Sequence, residues 1–140
     1  MKKSVAGTLL IILYTIFIPY LSRIWKGFAW VKQYFPEHKH SFLGFLFFSA
    51  AASVAAVPVI AAFLLRRYIP ISFIISFILT TVILVYWHHD YDLSSDAQAA
   101  LGLLVIPFIS AFITGIILAI SGAIEFFRGK KIINSNQNKN

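Results

Sequence analysis

The chain has 140 residues, 59% of them hydrophobic and 12% charged, with a formal charge of +7 and no cysteine. Soluble domains carry about 45–50% apolar and about 25% charged residues, so a soluble fold of this length could not hide its apolar surface. The absence of cysteine excludes disulfides, thiolate chemistry and Cys-built zinc or iron–sulfur sites. The basic residues stand between long apolar runs, where they act as topology signals and not as a nucleic-acid surface.

These features predict an all-α fold: an integral membrane bundle of four transmembrane helices at about residues 5–21, 42–65, 69–87 and 97–127. The N-terminal Met1-Lys2-Lys3-Ser4 followed by Val5 to Tyr20 has the charge and apolar core of a signal peptide. No small-x-small cleavage site follows, so an uncleaved first span ending at Leu21 is expected. Pro19 lies near its end, where a lost backbone bond is easiest to repair.

From Arg23 to Lys39, Ile24, Phe28, Val31 and Phe35 recur at helical spacing among Trp25, Trp30 and Tyr34, with Arg23, Lys26 and Lys32 interleaved. Aromatic rings and long cationic side chains favour the headgroup zone, which predicts a short interfacial helix ended by Pro36. The competing expectation is a hydrated loop.

The second span, Phe42 to Leu65, is rich in alanine and serine, which let helix backbones approach closely. Pro58 is expected to kink it. Only Arg66-Arg67-Tyr68 separates it from the third span, Ile69 to Trp87, so a tight helical hairpin is required. Pro70 suits the first turn of the returning helix, where its missing N–H is not needed. Ser95 and Gln98 have capping-box spacing at the start of the fourth span. That span, Ala97 to Phe127, would run about 46 Å and must tilt, kink at Pro107 or project beyond the bilayer. Ala111, Gly115, Ala119 and Ala123 form a small-residue ridge, expected to pack on the second span near Ala52 and Ala56. Residues 129–140 are polar and Asn-rich, and a disordered cytoplasmic tail is expected.

Eight basic residues fall on the side of the termini and four on the other. Cytoplasmic loops collect Lys and Arg, which predicts both termini in the cytoplasm of a bacterial inner membrane. Glu125, near the cytoplasmic end of the fourth span, needs a cation, and Arg128 three residues on is the expected partner in an ion pair.

Candidate chemistry is confined to the opposite side. His38, His40, His88, His89, Asp90 and Asp92 are candidate metal ligands, because imidazole with carboxylate suits Zn²⁺, Ni²⁺ or Cu²⁺. Adjacent His88 and His89 cannot face one ion in a regular helix, and a hydrated outer loop explains the same residues. No Asp, Glu, Lys, Arg or His lies deep in a span, and no phosphate loop, metalloprotease helix or nucleophile elbow is present. No enzymatic activity and no cofactor is expected.

The stretch Ser94-Ser95-Asp96-Ala97-Gln98-Ala99-Ala100-Leu101-Gly102-Leu103-Leu104-Val105-Ile106-Pro107 resembles a pattern of small uncharacterised bacterial inner-membrane proteins. It joins a serine–aspartate cap and an alanine pair to an apolar run ending at proline. In overall plan the chain is similar to membrane-embedded immunity proteins that protect bacteria from pore-forming toxins. The resemblance implies a non-enzymatic interaction, assembly or immunity role, with lipid and either a second copy or another membrane protein as partners, and no nucleic acid. An oligomeric channel or small-solute transporter and a metal-binding protein using the outer-face histidines are the alternatives.

Overall fold

The computed structural model describes residues 2–33, 41–92 and 99–137, and every regular element among them is helical. Helix α1 (Lys2–Leu21) is followed by a single 3₁₀ turn at Ile24–Lys26 and a five-residue helix, α2 (Phe28–Lys32). Then come α3 (Ser41–Val54), α4 (Ala56–Leu65), α5 (Pro70–His89) and α6 (Ala99–Gln137). Three stretches, Ser4–Lys26, Pro70–His89 and Leu101–Lys130, are long and apolar enough to cross a membrane. The bent pair of α3 and α4 makes a fourth when taken as one span.

One expectation is met and two change. The second apolar run bends, as its proline predicts: α3 and α4 meet at 43° across Ala55. Pro58 accounts for the position, since a proline removes its own N–H and its ring crowds the carbonyl four residues earlier, here Val54, the last residue of α3. The chain tightens there, with Ala55 N–H donating to Ala52 O at 3.2 Å. The expected interfacial helix is two short pieces hinged at Gly27, whose φ of +96° is open to glycine and strained for other residues. Finally, α6 continues to Gln137, through most of the stretch expected to be a disordered tail. Residues 128–137 contain a single glycine and no proline, so nothing local stops the helix. The 39 residues of α6 extend about 58 Å.

The bend of α3 and α4 lies at the centre of the packing. Ala55, Ala56 and Ala62 are fully buried, and their small side chains admit the neighbouring helices closely. On one side Ala55 packs with Ile18, Leu84, Leu103 and Ile106. On the other, Ala56 and Val59 pack with Ile11 and the Phe63, Phe73 and Phe77 rings. Helix α1 contacts α3, α4 and α5, and α6 contacts the same three. The outside of this bundle is apolar: Leu9, Leu13 and Phe17 on α1, Ile74, Ile78 and Val82 on α5, and Phe108, Phe112 and Ile116 on α6 are all exposed. Each set recurs at helical spacing on the face turned away from the neighbours, leaving apolar patches larger than soluble monomers carry.

Candidate functional site

Helix α5 has apolar neighbours along most of its length, so its unpaired terminal amides and carbonyls need partners from elsewhere. The chain supplies an oppositely charged side chain at each end. These two caps, with the polar seam between them, contain most of the bundle's buried polar chemistry.

Arg23 caps the C-terminal end. It follows α1 directly, held by the Ser22 and Arg23 amides on the Ile18 and Tyr20 carbonyls, and it is 0% exposed. Its Nη1 donates to the Tyr91 carbonyl at 2.6 Å and the His88 carbonyl at 3.3 Å, satisfying acceptors in and just beyond the last turn of α5. Nε donates to the Trp30 carbonyl at 2.8 Å, and Nη2 to Gln33 Oε1 at 2.5 Å. Gln33 in turn donates to Asp92 Oδ1 at 3.1 Å. The Trp30 ring lies 5.1 Å from the guanidinium carbon and 4.6 Å from Lys26 Nζ, so two cations share one aromatic ring. Lys26 also pairs with Asp90, and this hydrogen bond and charge hold the exposed Asp90 carboxyl below its usual range. A cation at a helix C-terminus opposes the negative end of the dipole, and the planar guanidinium fork can satisfy several carbonyls at once.

Glu125 of α6 caps the N-terminal end. Its Oε1 accepts from the Ile71 amide at 3.1 Å, and Oε2 from the Ser72 amide at 3.0 Å and the Ser72 hydroxyl at 2.9 Å. Pro70, at the first position of the helix, has no amide to satisfy. The expected ion pair is therefore not formed: Glu125 is bound by α5, and Arg128 makes no hydrogen bond or ion pair among the described residues. Three directed donors on another helix and the positive end of a dipole outcompete one flexible cation on the same helix.

Between the caps, α5 turns Ser72, Ser76, Thr80, Leu84 and His88 inward, one residue every four. Thr80 and Thr114 hydroxyls hydrogen-bond across to α6 at 3.1 Å. Tyr14 of α1 bonds Thr81 at 3.0 Å, and the Thr81 hydroxyl donates to the Phe77 carbonyl at 2.9 Å. Ser76 and Ser110 are fully buried, and their hydroxyls have no hydrogen-bond partner among the described residues. The buried face of α6 is Leu103, Ile106, Pro107, Ser110 and Thr114. On the expected small-residue ridge, Ala111 and Gly115 are half-buried, and Ala119 and Ala123 are exposed. Ala52 and Ala56 are buried.

The candidate metal ligands are dispersed. His88 is 3% exposed and faces a cavity of about 30 Å³ with Ser49, Tyr20 and Pro107, too small for an organic ligand. His89 lies on a different face, with Nδ1 3.0 Å from the Ser22 carbonyl. Asp90 is taken by Lys26, and Asp92 by Gln33. Among the described residues no three His, Asp or Glu side chains gather as an ion would require. His38 and His40, like Pro36 and the Ser95–Gln98 cap, lie outside the described residues. Sequence reasoning missed the roles of Arg23 and Gln33. The one available signal was an arginine immediately after the first span, on the side where basic residues are scarce. No protein-family model matches this chain, and no curated protein or solved structure matches it significantly.

Proposed function

We propose that this chain is a small multi-pass membrane protein of the bacterial inner membrane, non-enzymatic, acting through contacts of its apolar helix faces with other membrane proteins. Arg23 and Glu125 carry this proposal: both are committed to capping α5. A chain that commits these charges to its own fold keeps little for acid–base work or ion relay. Its exposed apolar faces then remain as the surface through which it acts, and an immunity role against a membrane-active toxin is one concrete form of such contact.

The cytoplasmic placement of both termini rests on the distribution of basic residues, eight on the side of the termini against four on the other.

The test is expression of the full chain in cells challenged with a membrane-depolarising toxin encoded beside it. Retained membrane potential supports an immunity role, and depolarisation equal to that of cells without the chain counts against it.

A further inference from the structure

At the Glu125 end a groove of about 480 Å³ runs between α5 and α6. Its lower part is apolar, built from Ile71, Ile75 and Ile124, all of which are exposed. Tyr68, just before α5, and Arg128, one turn beyond Glu125, stand at its upper end. The two charged groups that line the groove are Glu125 and Arg128. They differ in availability: both carboxylate oxygens of Glu125 accept from α5, whereas Arg128 has no hydrogen bond or ion pair among the described residues. The exposed Arg66, Arg67 and Lys130 add positive charge at the same end.

We propose that this groove binds one anionic phospholipid, with its phosphate on Arg128 and the Tyr68 hydroxyl and one acyl chain along Ile71, Ile75 and Ile124. The inference rests on the proposal that the chain lies in a bilayer. A groove that is apolar below and cationic above matches the order of chain and headgroup in a lipid, with the aromatic hydroxyl at the boundary. A zwitterionic headgroup would bring its ammonium up to an end already crowded with the exposed Arg66, Arg67, Arg128 and Lys130, whereas an anionic headgroup adds no positive charge. A second copy seated across a two-fold axis would set the two Arg128 side chains against each other.

The test is native mass spectrometry of the full chain released from micelles, titrated with phosphatidylglycerol or phosphatidylcholine of matched acyl chains. The wild type should retain one phosphatidylglycerol about fivefold more readily than phosphatidylcholine, the size expected for one interfacial cation. Arg128→Gln should bring the two lipids to parity. Arg67→Gln, at the same end but outside the groove, should keep the preference. Ile75→Trp should fill the groove and remove both adducts. If that variant loses its helical circular dichroism, Ile124→Trp takes its place.

Equal retention by the wild type, loss of preference in Arg67→Gln equal to that in Arg128→Gln, or displacement of the lipid by millimolar inorganic phosphate would each overturn the proposal. So would disulfide-linked dimers through Ile75→Cys in place of lipid adducts. A detergent-free soluble chain would instead remove the membrane placement itself, whereas a micelle-bound chain without lipid preference removes only this site.

Discussion

Replacing Arg23 with methionine keeps a long, unbranched side chain and deletes the guanidinium. Four hydrogen bonds go with it: those to the carbonyls of Trp30, His88 and Tyr91 and to the Gln33 amide oxygen. Each acceptor left buried without a partner costs about 1–3 kcal/mol, less where water can enter. Removing the burial penalty of the cation itself offsets part of the sum, so the expected loss is that of breaking a buried charged network, about 3–5 kcal/mol. Arg23→Lys keeps the charge but not the fork, and should lose about 2 kcal/mol. The assay is unfolding of the micelle-bound protein followed by tryptophan fluorescence. Trp30 is the natural reporter because its ring lies against the guanidinium. A change below about 0.5 kcal/mol in Arg23→Met, the range of ordinary surface substitutions, would refute the capping role.

Glu125→Ala removes the acceptor for the first amides of α5 and should cost about 1–2 kcal/mol, whereas Arg128→Gln should leave stability within about 0.5 kcal/mol. Equal losses in the two variants would restore the ion pair that the sequence suggested. Gly27→Ala forces a side chain into a positive-φ conformation and should cost about 1–3 kcal/mol by the same unfolding assay, and a neutral result would contradict the hinge. A Cβ at Gly102 would run into the Tyr91 hydroxyl and ring, so Gly102→Ala should destabilise by about 1–3 kcal/mol. Combining it with Tyr91→Ala should give less than the sum of the two single losses.

For the Lys26–Asp90 pair, the folded-state carboxyl titrates below its free value of 3.8. Its contribution is therefore present at neutral pH and is lost as pH falls below 3.8 through the lowered value. Asp90→Asn should flatten that part of the acid limb of stability against pH, and an unchanged limb would contradict the pairing.

The helical character and the long apolar stretches were legible because they rest on composition and run length, which are local. The bend at Ala55 was legible too, since Pro58 marks it and the four-residue reach of the proline ring fixes Val54 as the end of α3. Pro70 announced the start of α5 for the same local reason. The partners of the charged groups were not legible. Arg23 meets His88 across 65 residues, and Glu125 meets Ser72 across 53, while the sequence offered Arg128 only three residues away. Helix faces were misjudged through a related ambiguity. Ser110 and Thr114 are nearly as small as the alanines of the neighbouring ridge, and only the cross-helix bond to Thr80 identifies which stripe turns inward. Gly27 carries no distinguishing sequence mark, because a glycine between aromatic and basic residues reads equally well inside a helix or at its break.

Because the chain contains no cysteine, single-cysteine accessibility gives the most direct test of a bilayer-spanning bundle with both termini inside. In intact cells a membrane-impermeant maleimide should label Trp25→Cys. It should label Arg67→Cys and Gly129→Cys only after the membrane is opened, and Ile78→Cys in neither condition. Labelling of Ile78→Cys from water, or of all four positions alike in a soluble extract, would contradict the account.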